Sequence, residues 1–241
     1  MNYRLPAPRR SFPTMDIDGR CFVIAGASGG LGSEIAQALA RRRALLVLTA
    51  RDRSRLDAVD VPAVRVPADL RDPDRAGEAM AVAVESFGRL DGVVNATGVV
   101  AFGDLANTST DVVEELFLTN TFLPIFLLQA ALPRMEEGGV FVNISGVVAE
   151  NPMAGMAPYS ASKAAASAIM TAAGREARRR EIRIVDARPG HTETGLADRP
   201  LAGTAPRFRT GLSPRRVAGR IVHAIAADER DLPPAAFETT Y

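Results

Sequence analysis

Six short runs in this chain are apolar at consecutive positions: 21–25, 45–49, 63–66, 92–95, 140–144 and 182–187. A strand with one wet face alternates apolar and polar residues, whereas a strand covered on both faces does not. Alanine-rich amphipathic segments lie between the runs, near residues 30–42, 73–87, 109–135 and 159–180. Strand and helix in turn, with both strand faces buried, predict an α/β fold with one doubly wound parallel sheet flanked by helices on both faces. After Pro189-Gly190 the rhythm breaks. An irregular stretch over 191–214 reads as a substrate lid, because a long irregular loop in a compact domain is usually a binding element.

Residues 15–241 are therefore expected to form one domain, and 1–14, with three prolines and three arginines, a flexible extension. Of the 241 residues 47% are hydrophobic and 24% charged, which suits a soluble globular chain rather than a disordered one. The net charge of +1 gives no field that would draw the chain to nucleic acid. There is no run of 18 apolar residues to span a membrane, and no secretory leader is expected. Cys21 is the one cysteine, so no internal disulfide forms; the expected location is cytoplasmic. His191 and His223 are far apart and no His/Cys/Asp cluster has ligand spacing, so no metal is expected.

The first run opens into Gly26-Ala27-Ser28-Gly29-Gly30-Leu31-Gly32, and a helix follows. Glycines let the backbone approach a pyrophosphate, and the helix start offers free N–H groups with a positive dipole end. Sitting between strand and helix, the cluster reads as a Rossmann-type nucleotide site rather than a plain tight turn. A fold of this kind that prefers NAD places an acid at the end of its second strand, on the ribose 2′-hydroxyl. Here Arg51 stands near that place, followed by Asp52, Arg53 and Arg55. A guanidinium suits a 2′-phosphate, so NADP(H) is expected over NAD(H).

The spacing Gly26-x-x-x-Gly30-x-Gly32 resembles that of the short-chain dehydrogenase/reductase family. Further motifs carry the resemblance in order: Asp69-Leu70 with the family's adenine-contacting pair, Asn95-Ala96-Thr97-Gly98 with its Asn-Asn-Ala-Gly segment, and Asn120 with its active-site asparagine. Tyr159-Ser160-Ala161-Ser162-Lys163 is similar to its Tyr-x-x-x-Lys, and Pro189-Gly190 with Thr192 and Thr194 to its nicotinamide loop. The resemblance implies Gly26, Ser28, Gly29, Gly30, Leu31, Gly32, Arg51, Asp69, Leu70, Asn95, Gly98, Tyr159, Lys163, Pro189, Gly190, Thr192 and Thr194 as cofactor contacts. It implies hydride transfer between nicotinamide and a carbonyl or secondary alcohol. It also gives Lys163 the nicotinamide ribose, and pairs subunits as homodimers or homotetramers through the helices holding Asn120 and Tyr159. Ala161, Ala164, Ala165, Ala168 and Ala172 would allow such close helix approach.

Tyr159 and Lys163, four residues apart, share one helix face. A nearby ammonium favours the phenolate, so Tyr159 is expected to be the general acid or base, helped by Lys163 and Asn120. The family's serine 13 residues before the tyrosine is absent: that position is Gly146, and Ser145 is the expected partial substitute. Neighbouring strand residues point to opposite faces, which argues against Ser145, while glycine's freedom argues for it. A weak or non-redox member, or an NADP(H)-binding regulator, therefore stays open as an alternative. Val99, Val100, Phe102, Val147, Val148, Met153 and Met156 form an expected apolar substrate wall, with Arg199, Arg207 and Arg209 available to an anionic group. Finally, Pro124 has no N–H for the Asn120 carbonyl, which predicts a bend in the helix there.

Overall fold

The computed structural model describes residues 14–227 and 229–238. The proposed extension over 1–14 therefore falls, apart from Thr14, outside the described residues. Among the described residues seven strands form one sheet: β1 Cys21–Ala25, β2 Leu45–Ala50, β3 Val64–Pro67, β4 Gly92–Asn95, β5 Val140–Ile144, β6 Arg183–Ala187 and β7 Asp231–Leu232. Their order is β3-β2-β1-β4-β5-β6-β7, and every neighbouring pair is parallel. The order reverses between β1 and β4, which opens a crevice at the carboxyl ends of those strands.

The helices are α1 Gly30–Ala40, α2 Arg53–Asp57, α3 Pro73–Phe87, α4 Thr110–Phe117, α5 Leu123–Ala131, α6 Ala157–Glu176 and α7 Pro214–Ala226. Strand side chains alternate between the two helical layers. Ile24, Leu48, Val94, Val142 and Val185 pack on the side of α1 and α7, while Val23, Val47, Val93, Phe141 and Ile184 pack under α3, α5 and α6. Double coverage explains why the runs are apolar at consecutive positions. Cys21 is fully enclosed, and burial pushes its thiol up to about 12, which leaves it protonated and inert.

The segment read as one helix over 109–135 is three pieces. A π-helical turn, Leu118–Phe122, separates α4 from α5, with the Leu123 N–H donating to the Leu118 carbonyl. Pro124 explains the break, because residue 124 cannot close an α-type bond on Asn120 and the widened turn absorbs the mismatch. β7 was not foreseen; it is two residues long and continues into Pro233-Pro234.

Arg183 ties sheet to helix at the far edge. Its buried guanidinium donates to the carbonyls of Ala224, Ile225, Ala227 and Glu229, which end α7 or follow it. Terminal carbonyls in the interior need such donors. Arg183→Leu should destabilise the protein by about 3 kcal/mol, seen as a fall in urea midpoint. An unchanged midpoint would mean that other donors satisfy this helix end.

Candidate active site

A cleft of about 590 Å³ lies over the carboxyl ends of β1, β4, β5 and β6. At one end β1 turns sharply into α1. Gly26 has φ +76°, and a Cβ on Gly32 would come within 2.2 Å of the Gly26 carbonyl oxygen. Only glycine permits this turn, and the turn brings the start of α1 to the cleft. No side chain caps α1 and no acid lies in its first turn. The first N–H groups and the positive dipole end are thus offered to an anion. Gly26, Ser28, Gly29, Gly30 and Leu31 line the cleft, whereas Gly32 lies behind it and supports the turn.

Beyond this cradle stand the arginines after β2. Arg51 lines the cleft and makes no ion pair or hydrogen bond among the described residues. Arg55 lines it too and donates to the Ser28 carbonyl at 3.2 Å. Arg53 turns away to Asp57, 3.6 Å distant. Asp52 caps α2, accepting from the Arg55 N–H and the Ser54 hydroxyl, and these bonds hold its carboxyl below the usual range. The cap satisfies the acid locally while two cations face the cleft. Asp69 and Leu70 also line it. The Asp69 carboxylate is gripped by Arg71, whose other nitrogen is bidentate on Glu115 at 2.8 and 2.9 Å. Arg55 was named from sequence only as following Arg51, and Arg71 was not singled out.

In the centre Tyr159 and Lys163 project from the first turns of α6, and both line the cleft. Lys163 Nζ donates to the Ile144 carbonyl at 2.9 Å. A Cβ on Gly98 would lie 3.3 Å from Lys163 Nζ and 3.5 Å from Asn120 Oδ1, so Gly98 leaves room for both. The Tyr159 hydroxyl makes no hydrogen bond among the described residues. It is not among the sealed, unpartnered atoms either, so it opens into the cleft. The sequence reading expected Lys163 to lower the tyrosine pKa. Instead burial pushes Tyr159 up to about 12 and pulls Lys163 down to about 8, with Asp186 opposing the lysine's fall. Desolvation penalises each charged form, and the ammonium bonds a carbonyl rather than the phenol.

Asn120 stands behind the cleft. Its Oδ1 accepts from the Val99 N–H, and its Nδ2 donates to the Val99 carbonyl, each at 3.0 Å. Nδ2 also reaches Ser162 Oγ at 3.1 Å, which in turn donates to the Tyr159 carbonyl at 2.8 Å. Its side chain thus clasps the loop after β4 to α6. Asn95 likewise faces away from the cleft. Its Oδ1 accepts from Thr97, and its Nδ2 donates to Asn143 at 2.8 Å.

Ser145 corrects an expectation. It borders the cleft, but its hydroxyl donates to Asp186 Oδ2 at 2.8 Å, so that proton is committed elsewhere. Strand alternation places Ser145 on the Asn143 side, where Asp186 waits. Gly146 has φ +88° and ψ 164°, a region open essentially to glycine alone, so a serine there would be strained.

Pro189, Gly190, Thr192 and Thr194 form the opposite lip. Thr192 spends its hydroxyl on the Gly190 carbonyl at 2.9 Å, while that of Thr194 has no partner among the described residues. The expected apolar wall, Val99, Val100, Phe102, Val147, Val148, Met153 and Met156, lines the cleft with Leu196, Leu201 and Phe208 of the lid. The lid is stitched down by the Leu201 N–H to the Val100 carbonyl and the Phe102 N–H to the Ala202 carbonyl. Arg199 lines the cleft; Arg209 borders a smaller hollow of about 300 Å³, and Arg207 lines neither. Among the described residues no His, Cys, Asp and Glu group could hold a metal, and no helix is long and apolar enough to cross a membrane.

A pKa of about 8 for Lys163, against 10.5 in the unfolded chain, costs stability wherever the unfolded lysine is protonated. The cost is full below pH 8, shrinks as pH rises towards 10.5, and then vanishes. Lys163→Met should therefore stabilise the ligand-free protein by about 2 kcal/mol at pH 7, with no gain near pH 11. Thermal melts across pH test this; a variant that melts lower at pH 7 would contradict it.

A short chain dehydrogenase family model matches residues 20–202. An uncharacterized oxidoreductase of Methylorubrum extorquens is 32% identical over 231 residues, covering 88% of this chain and 92% of its own. A dehydrogenase/reductase SDR family protein 7-like of Anopheles gambiae is 31% identical over 237 residues, covering 90% and 75%. A crystal structure of a Burkholderia cenocepacia short chain dehydrogenase in complex with NADP superposes with TM-score 0.81 at 27% identity, covering 91% of this chain and 98% of that one. With the glycine turn, the buried tyrosine–lysine pair and the open strand ends already in place, these likenesses show that the chain belongs to the short-chain dehydrogenase/reductase family of oxidoreductases.

Proposed function

We propose that the protein is an NADP(H)-dependent oxidoreductase that interconverts a carbonyl compound and an alcohol, with Tyr159 as the proton donor or acceptor. The observation that carries this reading is the Tyr159 hydroxyl, unpartnered in a cleft whose other end is an uncapped helix start flanked by Arg51 and Arg55. The uncapped start of α1 suits a pyrophosphate, and the two arginines suit a 2′-phosphate. The NADP held by the Burkholderia neighbour supports the same preference.

Nicotinamide, when bound, supplies or accepts the hydride. The rest falls to the chain. A tyrosine with a pKa near 12 stays protonated at neutral pH, which suits donation to a carbonyl oxygen in the reductive direction. Lys163, charged below about pH 8, stabilises the phenolate left behind and is placed for the ribose. Residue 124 is proline, so the Asn120 carbonyl has no α-type partner and is open to a water reaching towards Lys163. Thr194 holds the carboxamide and the apolar wall takes the body of the substrate.

Ser145 bonded to Asp186 and Gly146 at φ +88° favour a second reading, a slow or non-redox member that binds NADP(H). Turnover separates the two. NADPH consumption with a panel of ketones and aldehydes should be measurable, and Tyr159→Phe should lower it about 10²–10⁴-fold. Tight NADPH binding without turnover on any substrate would leave the binder. In the same assay Arg51→Asp should cut the NADPH-to-NADH preference by about 10–100-fold. An unchanged ratio would remove Arg51 from the cofactor site.

We also propose a two-fold pairing surface on α6. Ala161, Ala168 and Ala172 are exposed there, and Phe122 is 47% exposed on the adjoining π turn. Light scattering at micromolar concentration should give a dimer or tetramer that Ala168→Arg dissociates. A monomeric wild type would sink this surface.

A further inference from the structure

Asn95, Asn143 and Asp186 stand side by side at the ends of β4, β5 and β6. Each lies two residues beyond Val93, Phe141 or Ile184, which pack under α5 and α6, so all three point to the α6 layer, where Lys163 sits. The row is continuous: Asn95 Nδ2 to Asn143 Oδ1 at 2.8 Å, and Asn143 Nδ2 to Asp186 Oδ1 at 3.2 Å. Asp186 Oδ2 then accepts from Ser145 Oγ at 2.8 Å and from Arg188 Nη1 at 3.1 Å.

Asp186 is a carboxylate only 4% exposed, and such a charge needs a purpose or a full partner. Arg188 is not a full partner. Its guanidinium is shared with Glu150 and with Asp231, the latter at 2.7 Å. One cation serves three carboxylates, which leaves negative potential beneath α6. The facing groups are few. Tyr159 and Lys163 are the titratable residues of α6 that line the cleft, while Arg175 and Glu176 lie at its other end. β4, β5 and the π turn contribute the neutral Asn95, Asn143, Ser145, Thr119, Asn120 and Thr121. Lys163 is 6% exposed, and its single hydrogen bond among the described residues goes to the Ile144 carbonyl.

We propose that Asp186 is a positioning residue for the reaction: its buried charge, incompletely cancelled by Arg188, keeps Lys163 protonated through the working pH range and holds the Ser145 hydroxyl out of the cleft. The proposal rests on Tyr159 and Lys163 being the proton-transfer pair. Without Asp186, desolvation alone would govern the lysine, and its ammonium would be lost at lower pH.

The test is the pH profile of kcat for NADPH-dependent carbonyl reduction. Asp186→Asn keeps the shape and removes the charge, and its alkaline limb should move down by about one pH unit, with the KM for NADPH unchanged. Arg188→Gln removes the cation facing Asp186, and its limb should move up. Structural damage would lower kcat in both variants without moving the limbs in opposite directions. A profile for Asp186→Asn that superimposes on wild type after scaling overturns the proposal. If Asp186→Asn does not fold, Arg188→Gln decides, and a limb that stays or moves down overturns it. Tyr159→Phe with wild-type turnover would show instead that the functional reading itself has failed.

Discussion

An ammonium taken out of water at the carboxyl edge of a parallel sheet is the constraint on which this site depends. Lys163 is buried, and its pKa falls to about 8 because the cleft gives it one carbonyl in place of solvent. Such a group holds its place only if its surroundings are rigid. Asn120 supplies that rigidity by closing two bonds on Val99 and one on Ser162, which joins the loop after β4 to α6. Thr121 adds another, its hydroxyl donating to the Ser162 carbonyl at 2.8 Å. The π turn that presents these residues is the backbone's answer to Pro124.

Much of this was legible in the sequence. Consecutive apolar positions revealed strands buried on both faces, and six of the seven strands fall where those runs lie. The glycine turn was legible because its steric demand is written into residue identity. β7 was not, since Asp231–Leu232 is too short to carry a period and borders Pro233-Pro234. α2 escaped for a related reason: five residues capped by Asp52 read equally well as a charged turn.

Within the site, the sequence found residue types better than their directions. Asn95 was expected as a cofactor contact and Asn120 at the reacting groups, yet both spend their side chains on neighbouring chain. The Ser145 outcome followed from strand alternation, since a residue two beyond Asn143 shares its face. The tyrosine pKa could not be read from spacing. Being four residues from a lysine says nothing about burial, and here burial outweighs the attraction of the ammonium. Arg71 and Arg188 were not evident because each also bridges to carboxylates distant in sequence: Glu115 for the first, Glu150 and Asp231 for the second.

The cleft thus combines an anion cradle, a desolvated acid and an apolar wall over the strand ends, and the proposed hydride delivery to a carbonyl carbon rests on that combination. The most direct test follows the hydride itself. NADPH carrying deuterium at the transferable C4 position should be used with the best carbonyl substrate, and the alcohol product examined by mass spectrometry and NMR. Hydride transfer as proposed puts one deuterium on the carbinol carbon, with the hydroxyl proton coming from solvent. Alcohol formed without deuterium at that carbon would contradict it.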